Sequence, residues 1–284
     1  MHRIIKLARF FSNHPLTRNT PLSVWGRFLA WQIRSRLQEE VIVKWIGGQR
    51  LAVRNGMAGI TGNIYTGLHE FADMMLLLHF LREGDLFLDI GANAGSYTVL
   101  ASGICKAKTW AFEPDPENAQ YLKRNIAINR LQELVNVFEL ALGAEDGKVK
   151  MTVGYGPTNR IAPEEDRHSQ VVRQQRLDPL IGEHKPIMIK MDVEGYEEQV
   201  LLGAEKMLAD RSLQVIELET VSELSKAMLS DHGFHGARYD PLSRQLCAAS
   251  AVRSSANYTF VRDLGAVAAR LADAAPVVIF GRTI

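Results

Sequence analysis

Residues 89–97, Asp-Ile-Gly-Ala-Asn-Ala-Gly-Ser-Tyr, leave a short apolar run and enter a helical pattern, a junction at which bare backbone can meet a small ligand. The small residues within 91–95 let the chain turn sharply and approach a bound group without a side chain intervening. The helix that follows offers free N–H groups and a positive dipole end, suited to a carboxylate. Asp89 can accept from an amino group or from a bridging water. Glu113 closes the next apolar run, 22 positions after Gly91. A carboxylate at that distance can accept from both hydroxyls of an adenosine ribose. A dinucleotide fingerprint requires G-x-G-x-x-G, whereas Asn93 and Ser96 occupy the second and third glycine positions, which weakens a pyrophosphate reading.

A second acidic group, Asp192-Val193-Glu194-Gly195, ends a later apolar run. Strand alternation puts Asp192 and Glu194 on one side, where either can serve as the general base that removes a proton from an acceptor. The alternative leaves Asp192 on the cofactor or the loop and Glu194 on a helix N-terminus. Lys190, two residues earlier, can pair with Asp192 or meet an acidic acceptor. Glu217 and Glu219 end a further run and could join Asp192 around a divalent cation, for which oxygen ligands are suited. His69 and His168 are alternative bases.

These groups need a scaffold. Strand-type runs at 86–90, 109–113, 135–142, 187–192 and 213–218 alternate with helical patterns near 95–104, 116–130 and 196–208, which implies a mostly parallel sheet covered on both faces. Runs at 148–153, 244–250 and 257–262 read as additional strands. The polar, Gly- and Pro-punctuated loop 154–168 is a candidate lid or recognition segment, or an ordinary surface excursion. Upstream, residues 2–11 and 22–38 read as basic amphipathic helices, the second presenting Trp25, Phe28, Leu29, Ile33 and Leu37 with Trp31 on its flank. Residues 41–53 form a β-hairpin about a two-residue Gly47-Gly48 turn, and an apolar helix spans about 70–82. Residues 263–284 are a mixed helical and apolar tail without a legible role.

Within 284 residues of net charge +1, residues 1–50 hold nine Lys and Arg against two acids, leaving 24 against 30 in the rest. That balance argues against nucleic-acid binding by the core and allows a peripheral membrane contact through residues 1–38, or packing against the domain or a partner subunit of a homo-oligomer. Cys105 and Cys247 show neither disulfide-framework nor metal spacing. The opening MHRIIKLARFF lacks an uninterrupted apolar stretch of signal-peptide length, and cytoplasmic residence is the expectation.

The run LDIGANAGSYT, the acidic FEP, ELALGAEDG, RLDPLI, IKMDVEGYEEQVLLGAEKML and the closing NYTFVR together resemble the FkbM family of S-adenosylmethionine-dependent methyltransferases, over about residues 65–262. The resemblance implies a class I methyltransferase (Rossmann-like) α/β fold with a mostly parallel seven-stranded sheet, a reversed last strand and helices on both faces. It implies domains at 1–64 (helices and hairpin), 65–262 (cofactor-binding) and 263–284 (tail). It also implies S-adenosylmethionine as cofactor and O-methylation of a hydroxyl on a saccharide or other small metabolite. By position, Asp89, Gly91, Asn93 and Gly95 would line the methionine end, Glu113 would hold the ribose, and Leu140, Ala141 and Leu142 would approach the adenine. Tyr65, His69 and Glu70 would face the crevice as substrate residues. His69 and Phe71 flank Glu70 where the family often has Pro, which leaves the acceptor open. The competing readings are a nicotinamide-dependent oxidoreductase and a catalytically silent cofactor-binding or membrane-attached scaffold.

Overall fold

The computed structural model describes residues 2–154, 159–161, 168–249 and 257–284. The expected lid, 154–168, falls largely outside these.

The chain opens with helices α1 (His2–Asn13) and α2 (Pro21–Leu37), then strands β1 (Val41–Lys44) and β2 (Arg50–Val53). The two strands pair antiparallel from Val41↔Val53 to Lys44↔Arg50. Their connection is longer than the two-residue turn expected from Gly47-Gly48, because Ile46–Gly48 forms a 3₁₀ turn whose Ile46 is buried. Helices α3 (Ala58–Thr66) and α4 (Phe71–Phe80) follow where one helix was expected near 70–82.

Strand and helix then alternate: β3 (Leu86–Ile90), α5 (Ser96–Gly103), β4 (Lys108–Phe112), α6 (Pro116–Ile128) and β5 (Val135–Phe138). Next come β6 (Ala141–Leu142), β7 (Gly147–Thr152), β8 (Ser169–Gln175) and α7 (Leu177–Ile181). The chain continues through β9 (Pro186–Met191), α8 (Glu197–Leu202), α9 (Glu205–Ala209), β10 (Val215–Leu218) and α10 (Glu223–Asp231). It closes with β11 (His235–Asp240), β12 (Gln245–Ala248), β13 (Tyr258–Val261), α11 (Leu264–Ala272), β14 (Val278–Ile279) and β15 (Arg282–Thr283).

The main sheet runs β12-β11-β13-β10-β9-β3-β4-β5. Its five strands from β5 to β10 are parallel, and β13 lies antiparallel between β10 and β11. The reversed last strand is therefore present, but the sheet has eight strands rather than seven. The added strand is β12, which forms a hairpin with β11 at the edge. The run expected as one strand over 135–142 is broken: β5 stays in the main sheet, while β6 joins β7 and β8 in a separate three-stranded sheet.

Strand alternation divides the core. Phe87, Met188 and Val215 pack with α4, α5 and α11 on one face, while Leu88, Ile189 and Ile216 pack with α7 to α10 on the other. Burial of these apolar faces is the main force holding the helices to the sheet. A third cluster joins Phe11, Val24 and Trp31 to Val41, Val53, Ala94 and Leu122, fastening the N-terminal segment beside β3 and β4. Asn125 on α6 reinforces this join by accepting from Ala52 N–H at 2.6 Å and donating to the Ala94 carbonyl at 2.8 Å.

Candidate active site

The C-terminal ends of β3, β4 and β9 and the residue following β10 open on one crevice of about 260 Å³, the place where ligands of open parallel sheets collect. Asp89, Gly91, Asn93, Glu113, Ala141, Asp192, Glu194, His69 and Glu70 all line it.

At Gly91 the backbone has φ +77°, and a Cβ there would lie 1.9 Å from the carbonyl oxygen of Asp192. Glycine at this position thus permits the close approach of the β3 and β9 ends, a different reason from the ligand clearance expected. Gly95 is not a lining residue: its φ is +87° and an added Cβ would meet Leu122 Cδ1 at 2.6 Å, so it serves the packing of α5 on α6.

The N–H groups of the turn are already used within the chain. Those of Gly91 and Ala92 donate to the Phe112 carbonyl, at 2.9 and 3.0 Å, and that of Gly95 to the Ala92 carbonyl. Asn93 N–H donates to Glu113 Oε2 at 2.7 Å, and Ala94 N–H to Asn93 Oδ1 at 2.7 Å. The N-cap of α5, Gly95, has no side chain to offer, and Asp89 takes the Thr98 N–H, so what the start of this helix offers an anion is its positive dipole end and the N–H groups ahead of Thr98.

Glu113 is buried, and Asp115 N–H holds its other oxygen at 2.8 Å. Burial pushes its carboxyl up to about 7 against the pull of these backbone donors. Asp89 is buried too, bonded by the Thr98 hydroxyl at 2.5 Å and raised by burial to about 6.

On the other side, Lys190 Nζ donates to Asp192 Oδ2 at 2.9 Å and lies 4.8 Å from the Tyr97 ring centroid. Burial alone would lower the Lys190 ammonium, but Asp192, Glu70 and Asp89 hold it protonated, above its ordinary range. Glu70 in turn accepts from the Tyr97 hydroxyl at 2.5 Å. Glu194 has φ +54°, a left-handed conformation disfavoured for a residue with a side chain, and burial beside Asp192 raises its carboxyl.

Carboxylate oxygens of Asp192, Glu194 and Glu219 lie within 4.8 Å of one another. Glu219 is raised to about 8 by burial and by Asp192, with which it shares a hydrogen bond. The cation set expected from Asp192, Glu217 and Glu219 is not assembled. β10 ends at Leu218, so Glu219 leaves the strand's alternation, while Glu217 is buried in the sheet with neither oxygen bonded among the described residues. Burial, reinforced by Asp73, drives the Glu217 carboxyl well above its ordinary value.

Tyr65 departs from expectation as well. It lies against Phe11 and Phe28 with ring centroids at 5.9 and 5.4 Å and is not among the crevice's lining residues. His69 does reach the crevice. Asn63 Oδ1 accepts from its N–H, Phe10 packs on its ring at 5.1 Å, and a Cβ on Gly62 would collide with its Nδ1, so only glycine there leaves room for the ring. Burial lowers the His69 imidazole, opposed by Glu70, and Nδ1 is buried without a hydrogen-bond partner among the described residues.

His168 lies on the small sheet's side, where its carbonyl accepts from Val153 N–H, and does not line the crevice. Tyr97, Asn118, Arg160 and Tyr196 line it without having been singled out from the sequence. For Tyr97 the signal was present: an aromatic in the first turn of the helix that leaves the glycine turn must lie beside that turn.

With this geometry in place, the family comparison is decisive: the Methyltransferase FkbM domain model matches residues 89–235, more than half of the chain. The chain belongs to the FkbM methyltransferase family. It is 27% identical over 165 residues to the hexuronic acid methyltransferase AglP of Haloferax volcanii, covering 55% of this chain and 67% of AglP. It is 24% identical over 206 residues to the methyltransferase sdnD of Sordaria araneosa, covering 58% and 79% of the two chains. Among solved structures, the methyltransferase FkbM from Methylobacillus flagellatus aligns with TM-score 0.45 and 16% identity over 72% of this chain. That alignment spans about half, 52%, of the M. flagellatus chain.

Proposed function

We propose that this FkbM-family chain transfers the methyl group of S-adenosylmethionine to an oxygen of a saccharide, most simply a hexuronic acid. The observation that carries the reading is the arrangement of three unlike binding elements around one crevice: the start of α5 with its glycine N-cap, the buried Glu113 carboxylate, and the apolar wall of Phe112, Leu140 and Leu142. These suit, in order, an amino-acid carboxylate, a vicinal diol and a flat purine. When bound, S-adenosylmethionine supplies an electrophilic methyl group that a nucleophile displaces in line.

The chain's own work is alignment and proton removal. Asp192, fixed by the Lys190 ammonium, accepts the proton of an acceptor hydroxyl, while Glu194 and the protonated Glu219 border the same space. His69 and Glu70 contact the acceptor from the α4 side. Among the described lining residues the cations are Lys190 and Arg160; Lys190 is hydrogen-bonded to Asp192, so Arg160, whose charge also acts on Glu194, is the one we assign to a substrate carboxylate. The relatedness to AglP favours a uronic acid over an uncharged sugar.

The test is transfer of isotope-labelled methyl from S-adenosylmethionine to glucuronic and galacturonic acid and to glucose. The reading expects label on the uronic acids in an alkali-stable ether, lost in Asp192→Asn. An alkali-labile ester would remove the need for a base at Asp192, and absence of transfer to any saccharide would overturn the acceptor assignment. Calorimetry with NAD in place of S-adenosylmethionine separates the oxidoreductase alternative. Because Lys190 and protonated Glu219 already balance Asp192, chelation of divalent cations should leave turnover unchanged. Turnover lost on chelation and restored by magnesium would instead assign the three carboxylates to a metal.

A further inference from the structure

The first two helices carry a surface that the methyl-transfer reading does not use. Helix α2 is held to the core by Val24, Trp31 and Ser35, and by Trp25 and Phe28 in edge-to-face contact with Phe11 at centroid distances of 5.3 and 6.4 Å. This buried face differs from the one the sequence pattern suggested, and it turns the strongest aliphatic residues outward. Leu22 is 89%, Leu29 57%, Ile33 61% and Leu37 78% exposed. Their spacing of i, i+7, i+11 and i+15 places all four on one stripe of a 3.6-residue helix, opposite the buried face. Ile4 and Ile5 of α1 are also exposed, as is Ile42 next to α2, where Arg34 donates to the Ile42 carbonyl at 3.3 Å.

The charge within the two helices is of one sign, with the exposed Glu39 lying just past Leu37 and Glu40 paired with Arg124. Residues 1–38 contain seven Lys and Arg and no Asp or Glu. Of these, Lys6, Arg9, Arg18, Arg34 and Arg36 have exposed side chains. No described helix is long and apolar enough to cross a membrane. An isologous contact with a second copy would set this cationic rim against itself with no acid in the segment to pair with it. A nucleic acid would leave the aliphatic stripe in water. An anionic bilayer surface meets both features, since leucine and isoleucine side chains enter the acyl boundary while arginine and lysine remain among the headgroups.

We propose that α1 and α2 form a peripheral docking surface for anionic membranes, with Leu22, Leu29, Ile33 and Leu37 as the inserting stripe. This is independent of the methyl acceptor and of the crevice residues.

The full chain is sedimented with vesicles of phosphatidylcholine alone and of an equal mixture of phosphatidylcholine and phosphatidylglycerol. The protein is expected to sediment with the anionic vesicles and not the neutral ones, and added salt should release it. L29E/I33E changes only exposed side chains. It should lower partition at least about a hundredfold while leaving the thermal melt and S-adenosylhomocysteine affinity unchanged. R34Q/R36Q, which keeps the stripe, should lower it about twentyfold. No binding, equal binding to both vesicle types, or unchanged binding by L29E/I33E would overturn the proposal. So would a concentration-dependent dimer, seen by analytical ultracentrifugation, that L29E/I33E abolishes.

Discussion

At the β3 and β4 ends of the crevice, Asp89 and Glu113 are buried with their oxygens held by neutral donors within the chain, the Thr98 hydroxyl and the N–H groups of Asn93 and Asp115, although the charges of Lys190 and Asp115 also reach them. At the β9 and β10 ends, Asp192, Glu194 and Glu219 crowd together against one ammonium, with Glu194 in a left-handed conformation. The first arrangement is rigid and nearly satisfied, which suits a ligand that is always the same. The second keeps like charges close, so proton occupancy there responds to whatever enters, which suits a reacting group. On the proposed reading the two halves of the crevice divide the work: one side binds, the other handles the proton.

The largest effect expected is at the joint between the halves. Gly91→Ala puts a methyl into the Asp192 carbonyl at an unfavourable φ, and should cost about 3 kcal/mol or more of folding stability, read by denaturant unfolding. An unchanged midpoint would show that the two strand ends can separate freely. Asp192→Asn probes the reactive half, where turnover should fall by about 10²–10⁴ while S-adenosylhomocysteine affinity changes less than about tenfold. Equal losses in both would merge the two halves.

How much of this division was legible depends on the residue. The turn at 89–95 and Glu113 could be read because each depends on local order, a strand end followed by a helix. Tyr65 could not, since its place is decided by Phe11 and Phe28 from segments far away in the chain. Glu217 and Glu219 were separated by the point at which β10 stops, which lies at the limit of any pattern-based boundary. The engagement of the turn's N–H groups was equally hidden, because the Phe112 carbonyl that accepts two of them comes from the neighbouring strand. The apolar stripe on α2 was legible, but not that it faces outward, because the core takes Val24 and Trp31 instead. The edge strand β12 was legible as the run 244–250, whereas its neighbour β11 was not, because in His-Gly-Ala-Arg-Tyr-Asp only Ala237 and Tyr239 are buried and no apolar run marks it.

Glu113→Gln tests the binding half. It keeps the shape but loses charge, and should weaken S-adenosylhomocysteine by about 1–3 kcal/mol by calorimetry with little change in turnover at saturation. The smallest effect is in pH dependence. Glu219 binds its proton more tightly folded, near 8, than unfolded, so its stabilising contribution is full below the ordinary Glu range and is lost as pH rises through about 8. Glu113, near 7, and Asp89, near 6, act in the same direction. Stability should therefore decline from about pH 5 to 8, and Glu219→Gln should flatten the upper part of that decline by roughly 1 kcal/mol after solvent screening. An identical slope in the variant would place the proton elsewhere.

The most direct test of the divided crevice is a crystal structure of the full chain with S-adenosylhomocysteine. The account predicts the ribose hydroxyls on the Glu113 carboxylate, the amino-acid carboxylate at the first turn of α5, and the sulfur facing Asp192. A ligand seated outside this crevice, or one whose ribose leaves Glu113 with only its two backbone donors, would contradict it.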